Sequence, residues 1–201
     1  HSGTDWAERL ASVESTYVAL VAAISRFQKV VICVADAALR THASAKLDQA
    51  GIDGARLRWV EVDYDDTWLR DSGPITLHAG VAGGSGFRLL DFRFTGWGGK
   101  FEAGRDDRLV EQLSQKKLFL KSKRQSIDFA LEGGAIETDG NGTLLTTWRC
   151  LHERHPDAAE AALGTRLAHW LAQDRVLWLH HGYLEGDDTD AHIDTLARFA
   201  A

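Results

Sequence analysis

The sequence has 201 residues, of which 44% are hydrophobic and 26% charged, a balance typical of one globular domain. The formal net charge of -6 argues against a general nucleic-acid binder, because such proteins gain affinity by neutralising phosphates with Lys and Arg. No apolar run approaches the roughly 18 residues that span a bilayer, and two cysteines are too few for a disulfide framework, so a cytoplasmic location is expected.

Hydrophobic periodicity and turn residues divide the sequence into helices and strands. In chain order we expect a helix at 5–26, a strand at 30–35, a helix at 37–50, a strand at 56–62, a hairpin of strands at 75–77 and 87–92, a helix at 106–117, a hairpin of strands at 135–138 and 143–147, a helix from Pro156 onward, and strands at 175–179 and 192–199. The hairpins between helices argue against a doubly wound sheet. They favour a mixed α+β or α/β arrangement of repeated units.

Four segments place polar residues beside glycine or at the ends of predicted strands. They are residues 65–74 (DDTWLRDSGP), 96–100 (GWGGK), 131–134 (LEGG) and 185–194 (EGDDTDAHID). Strand ends and the loops after them are where a rigid scaffold presents functional groups. We therefore take these segments as the candidate functional regions.

The His-Ile-Asp sequence at 192–194 is the first candidate for chemistry. In a strand, His192 and Asp194 would point to the same face and act together as a proton-transfer group and a cation anchor. A surface ion pair, or a core histidine with a partner, explains the same pattern. Glu132 before two glycines and Asp71 before Pro74 have similar alternatives, a tight turn with a solvated Glu and an Asx-type turn.

The sequence predicts neither a cofactor nor a metal. Residues 96–100 lack the spacing of either nucleotide-binding fingerprint. There is no His-x-x-x-His or Cys-pair spacing, and the Gly-x-Ser-x-Gly elbow of serine hydrolases is absent. Cys33 lies in an apolar run and is expected to be a packed core residue.

Taken together, the segments resemble the agmatine deiminase and bacterial peptidyl-arginine deiminase family of guanidine-modifying enzymes. The resemblance is carried by residues 65–74, 91–100, 131–147 and 185–199, which follow in family order over most of the chain. It implies an α/β fold of the pentein type, a β/α-propeller of five ββαβ units, of which this chain would hold about three.

The resemblance also implies roles for individual residues. Asp71 and Asp194 would grip a guanidinium through paired, charge-assisted hydrogen bonds, His192 would be the general acid and base, and Glu132 would orient and charge the histidine. Other substrate-binding candidates are Trp68 as a pocket wall, and Asp188 and Asp190 as anchors for an amine tail.

The reaction implied is the hydrolysis of agmatine to N-carbamoylputrescine and ammonia through a covalent cysteine intermediate, a step towards putrescine and the polyamines. The expected partner is thus a cationic guanidino small molecule, with no nucleic acid and no membrane. Two alternatives remain open. One is deimination of peptidyl-arginine or another guanidino compound, and the other is a non-catalytic guanidinium-binding module.

The chain has no methionine and stops inside an apolar run, so we expect both natural ends to be missing. Residues 1–201 would then form a single partial catalytic domain that lacks its N-terminal segment and the C-terminal units with the nucleophilic cysteine. Neither cysteine present matches that position, and Cys150 lies where relatives often carry a structural cysteine. The bare chain is therefore expected to be inactive, and its unpaired strand edges are expected to favour a homo-oligomer.

Overall fold

A computed structural model describes residues 6–79, 86–120, 122–182, 184–189 and 191–200. The chain divides into two compact units, His1–Asp66 and Thr67–Ala201. Helices alternate with three small sheets, one of two strands and two of three strands, so the fold is α/β. Within the described ranges, no helix is both long enough and apolar enough to cross a bilayer.

The first unit consists of a helix followed by a strand–helix–strand arrangement. Its elements are α1 (Leu10–Ser25), β1 (Val30–Val34), α2 (Ala37–Gln49) and β2 (Leu57–Glu61). The two strands pair in parallel. The Asp36 carboxylate begins α2 by accepting a hydrogen bond from the Leu39 backbone N–H at 2.7 Å. These four elements confirm the predicted order, but β1 is less buried than expected, because Val31 is 40% exposed.

The second unit contains a strand–strand–helix–strand order twice. It opens with the one-turn helix α3 (Leu69–Ser72). The first copy comprises β3 (Ile75–Ala79), β4 (Gly86–Arg93), the single turn α4 (Gly96–Gly99), α5 (Leu109–Gln115) and β5 (Ser122–Ala130). The second comprises β6 (Ile136–Thr138), β7 (Thr143–Thr147), α6 (Trp148–Arg154), α7 (Glu160–Leu171) and β8 (Arg175–Leu179). In each copy the first two strands are antiparallel, and the third runs parallel to the second.

The core of this unit joins the two copies. Leu163, Leu167 and Leu171 recur at four-residue steps on one face of α7 and are at most 2% exposed. They belong to one apolar cluster with Leu90 of β4 and Phe129 of β5. Burying each such side chain contributes about 1.5–3 kcal/mol, so both copies are held against α7. The loops at the ends of β5 and β7 are thereby fixed.

Three sequence predictions need correction. Residues 192–199 do not form a strand. Instead Ile193–Thr195 forms a 3-10 turn, closed by a hydrogen bond from the Leu196 N–H to the Ile193 carbonyl at 3.0 Å. The helix predicted from Pro156 begins at Glu160. A further helix that was not predicted, α6, precedes it, and the Thr147 hydroxyl caps its first turn. The strand β5 was not predicted at all, since its first half, residues 122–126, carries no apolar run.

Candidate active site

Four predicted site residues from three separate segments meet in the second unit. His192 Nδ1 lies 3.7 Å from Asp71 Oδ1 and 4.0 Å from Asp194 Oδ1. On the other side of the ring, Nε2 lies 3.8 Å from Glu132 Oε2. His192 and Glu132 are only 1% exposed and Asp71 is 9% exposed, whereas the Asp194 side chain is 25% exposed. The arrangement is a buried imidazole among three carboxylates. Solvent comes nearest to it on the side of Asp194, the most exposed of the four.

Asp71 is fixed by hydrogen bonds to both of its carboxylate oxygens. The one-turn helix α3 carries it, and Oδ1 accepts a bond from the Gly134 backbone N–H at 2.8 Å. Oδ2 accepts one from Trp97 Nε1 at 3.1 Å. Burial raises the pKa of Asp71 above its ordinary value, outweighing the opposite effects of His192 and these two donors. A bound cation would therefore find an oriented carboxylate that is poorly compensated.

Trp97 reaches Asp71 because of an unusual backbone turn. Within α4 its φ is 57°, in the left-handed region, and it is followed by Gly98 with φ of 80°. The Thr95 hydroxyl holds the turn by accepting a hydrogen bond from the Gly98 N–H at 3.2 Å. The sequence singled out this glycine-rich loop but did not indicate its function, which is to aim an indole N–H at the site.

Glu132 follows β5 and forms a buried ion pair with Arg154 of α6. Arg154 Nε donates to Glu132 Oε1 at 2.8 Å, and the two side chains are 0% and 1% exposed. Burial acts to raise the pKa of Glu132, but the facing His192 and Arg154 together lower it below its ordinary value. Glu132 is thus an ionised carboxylate whose second oxygen, Oε2, faces the histidine. No sequence pattern indicated Arg154.

Replacing Arg154 with methionine is expected to lower the free energy of unfolding by about 3–5 kcal/mol, because a buried carboxylate loses its partner. The native pair stabilises the fold above the ordinary Glu pKa, and that contribution is lost as the pH falls through the lowered pKa of Glu132. In the variant, His192 alone opposes the effect of burial on the pKa of Glu132, so the carboxylate takes up a proton at a higher pH than in the native protein. The difference in free energy of unfolding between the two proteins should therefore shrink as the pH falls. Urea unfolding of both proteins across the acidic range measures this.

The matched control is Arg93→Met, which removes the arginine of an exposed ion pair. Arg93 lies 3.0 Å from Asp128, and these side chains are 55% and 87% exposed. Such pairs are worth less than about 1 kcal/mol. Equal loss of unfolding free energy in the two variants would contradict the prediction that burial makes the Arg154–Glu132 pair the more costly one to break.

The segment before His192 is organised by Asp187, which lies in the candidate segment 185–194 but was given no role of its own. The Asp187 carboxylate accepts hydrogen bonds from the N–H groups of Thr189 at 2.9 Å and Ala191 at 2.8 Å. Burial acts to raise the pKa of Asp187, but these bonds and the Thr189 hydroxyl lower it below its ordinary value. The Thr147 hydroxyl at the end of β7 donates to the Ala191 carbonyl at 2.6 Å. His192 is therefore held by the strand end as well as by its own loop.

Gly134 lies where the His192 imidazole meets the carboxylates of Asp71 and Asp194. A Cβ atom at this position would lie 2.5 Å from His192 Nδ1, 2.7 Å from Asp71 Oδ1 and 2.9 Å from Asp194 Oδ2. These distances are too short for any side chain. Glycine here keeps open the space between the three groups.

The remaining substrate-binding candidates lie at different distances from this cluster. Trp68 is 46% exposed, and its ring contacts that of Trp97 edge to face with centroids 6.5 Å apart, so it borders the site. Asp188 is exposed, and its backbone carbonyl accepts a hydrogen bond from Lys100 Nζ at 2.9 Å. Asp190 lies outside the described residues.

One further side chain adjoins the imidazole. Cys150, in α6, is 0% exposed, and one donor atom each of Glu132, Cys150 and His192 lies within 4.8 Å of the other two.

Chemically, the whole arrangement offers carboxylates to a planar cation and an imidazole to exchange protons with it.

Comparisons with known proteins match this chain over nearly its whole length. A family model described as Porphyromonas-type peptidyl-arginine deiminase matches residues 1–201. An agmatine deiminase of Stutzerimonas stutzeri is 34% identical over 203 residues, covering 97% of this chain and 52% of that protein. One of Pseudomonas aeruginosa is 35% identical over 198 residues, covering 94% and 50%.

Solved structures give the same picture. A cysteine-to-serine variant of the C. jejuni agmatine deiminase with substrate bound superposes with a TM-score of 0.83 at 31% identity, covering 99% of this chain and 56% of that one. An agmatine deiminase of Enterococcus faecalis superposes with a TM-score of 0.77 at 28% identity, covering 94% and 50%. The chain spans about half the length of the curated relatives that it matches.

Proposed function

Since the chain belongs to the Porphyromonas-type peptidyl-arginine deiminase family, we propose that it supplies the guanidinium-binding and proton-transfer part of a hydrolytic deiminase. The proposed substrate is agmatine, and the products are N-carbamoylputrescine and ammonia. The observation that carries the proposal is the buried cluster in which His192 lies within 4.0 Å of carboxylate oxygens on both sides of its ring.

Asp71 and Asp194 bind the guanidinium in this proposal. Two carboxylates match the planar fork of N–H donors through charge-assisted bonds. The raised pKa of Asp71, caused mainly by burial, is consistent with a carboxylate that gains from a cationic ligand. Trp68 would form the outer wall, since it is half-exposed beside Trp97. Asp188 is retained as a candidate for the amine tail because its side chain is exposed, and Asp190 is retained with it on sequence grounds alone.

His192 moves protons in two steps. A thiolate attacks the central guanidinium carbon and forms a carbon–sulfur bond, and His192 protonates the amine, which leaves as ammonia. His192 then takes a proton from water as the water attacks the same carbon. The carbon–sulfur bond breaks and releases the thiolate, and the remaining hydroxyl proton passes to solvent, where it is available to the released ammonia. This leaves the ureido product. Glu132 orients the imidazole and stabilises its cationic form.

The nucleophilic cysteine is proposed to lie outside these 201 residues. Cys33 is in β1 of the first unit, and burial raises the pKa of its thiol, which disfavours the reactive thiolate. We propose further that the two strand–strand–helix–strand copies and the strand–helix–strand of the first unit are about three of the five units of a pentein propeller. Residues 1–201 would then be part of one catalytic domain.

The test is detection of the ureido product with agmatine, free arginine and an arginyl peptide in parallel, using the whole protein that carries this chain. We expect the highest kcat/KM with agmatine. A preference for the arginyl peptide would overturn the choice of substrate and favour the activity named by the family model. No product from any of the three would overturn deimination and leave a guanidinium-binding module.

A further inference from the structure

Three side chains with different donor atoms converge at the buried end of the site. Glu132 offers a carboxylate oxygen, Cys150 a sulfur and His192 a ring nitrogen, and these atoms all lie within 4.8 Å of one another. Each of the three residues is at most 1% exposed. They come from the end of β5, from α6 and from the turn before Ile193, so only the tertiary fold assembles them.

Two of these donors lack a hydrogen-bond partner. Glu132 Oε2 and His192 Nε2 are fully buried and, among the described residues, neither makes a hydrogen bond. They face each other across 3.8 Å. Leaving a buried polar atom unsatisfied costs about 1–3 kcal/mol. A ligand between them that accepts lone pairs from both would recover that energy.

The donor set selects the kind of ligand. Thiolate, imidazole and carboxylate are the three protein ligands of Zn²⁺, and bond lengths of about 2.0–2.3 Å place tetrahedral donors roughly 3.3–3.6 Å apart. The observed 3.8 Å between Oε2 and Nε2 therefore needs to close by a few tenths of an ångström, and the widest donor separation, up to 4.8 Å, by about 1 Å. Hard cations such as Mg²⁺ and Ca²⁺ prefer an all-oxygen shell and are disfavoured by the sulfur.

The surrounding charge also favours a dication. Glu132, Asp71 and Asp194 contribute three carboxylates within 4.0 Å of the imidazole. Two arginines oppose them: Arg70 Nε lies 3.7 Å from Asp194 Oδ2, and Arg154 holds the other oxygen of Glu132, Oε1. Arg154 therefore leaves Oε2 directed towards His192. With the imidazole neutral, as a metal ligand must be, the three carboxylates outnumber the two guanidinium groups.

We propose that Glu132, Cys150 and His192 form a binding site for Zn²⁺, with the fourth position open to water or a ligand. Binding displaces the proton of the Cys150 thiol to solvent, so the affinity rises with pH. A bound Zn²⁺ would also occupy the nitrogen and the oxygen through which Glu132 supports His192. Such occupation would inhibit deimination. The inhibition rests on the proposed function, whereas Zn²⁺ binding does not.

The test measures Zn²⁺ binding by the reduced 201-residue chain without substrate, in competition with a chromophoric chelator. We expect one equivalent to bind, and Cys150→Ala to weaken it by at least about 10-fold. Cys33→Ala, which removes the other thiol, is the matched control and should leave the affinity unchanged. His180→Ala in the same assay accounts for Zn²⁺ held by surface histidines.

Co²⁺ in place of Zn²⁺ gives a second readout. A thiolate ligand produces a near-ultraviolet charge-transfer absorption, which should appear with the native chain and vanish in Cys150→Ser. If Cys150→Ala fails to fold, Glu132→Gln and the cobalt spectrum of the native chain decide the matter. Affinity that is unaffected by the Cys150 substitutions, or a cobalt spectrum without the sulfur band, would overturn the site. Neither measurement depends on turnover, so failure of the deiminase proposal would leave this result standing.

Discussion

Replacing His192 with alanine is expected to lower kcat for release of the ureido product by roughly 10²–10⁴-fold in the whole protein, the usual contribution of a positioned acid and base. The imidazole is the only group in the described site that lies between Asp71 and Glu132 and can both donate and accept a proton. Without it, the described site has no imidazole to protonate the departing nitrogen, which is a poor leaving group as the amide ion. Steady-state assays with agmatine over a range of pH measure the effect.

His42→Ala is the matched control for this substitution. His42 lies in α2 of the first unit, and its exposed ring contacts Glu14 at 2.7 Å, a pair of the same residue types outside the site. Its removal should leave kcat and KM within a few-fold of native. Full activity of His192→Ala would show that the histidine is a structural core residue, and would remove the basis of the mechanism.

Replacing Gly134 with alanine should lower kcat/KM by about 100-fold or more, although it removes no functional group. The added methyl would come within 3 Å of Nδ1 of His192 and of one carboxylate oxygen each of Asp71 and Asp194. The three groups must then move apart, and a displacement of about 1 Å can cost 10²-fold in rate. The Gly134 N–H to Asp71 Oδ1 bond would be disturbed as well.

Gly104→Ala provides the comparison for Gly134→Ala. Gly104 lies in the same unit, and a Cβ there would meet nothing within 4 Å. That variant should keep native activity, and circular dichroism of both proteins separates local damage from unfolding. A folded Gly134→Ala protein with native kcat/KM would mean that the substrate does not need the space between these three side chains.

Much of the local structure followed directly from the sequence. The apolar run of β1 and the helical repeat of α7 each occur within a single element, so their short-range patterns were sufficient. The Asp-Gly-Asn-Gly turn between β6 and β7 likewise predicted a hairpin, which the antiparallel pairing of Ile136 with Thr146 confirms. Asp71 and Glu132 were singled out because each lies near glycine or proline, and His192 because of its His-Ile-Asp spacing with Asp194.

The geometry between segments could not be predicted in this way. His192 and Asp194 were expected to share a strand face, yet a 3-10 turn brings them together. The turn depends on hydrogen bonds to Asp187 and Thr147, one of which lies more than forty positions away in the sequence. Local periodicity contains no information about such partners.

The sequence by itself therefore determined which residue types stand at the ends of the strands, because those positions are written in short apolar and glycine-rich runs. Only the tertiary structure decided what surrounds them: Arg154 against Glu132, the Trp97 indole against Asp71, and Cys150 behind His192. The physical reason is that burial and charge depend on side chains which are distant along the chain. Whether a carboxylate is ionised, paired or strained is fixed when those side chains pack together.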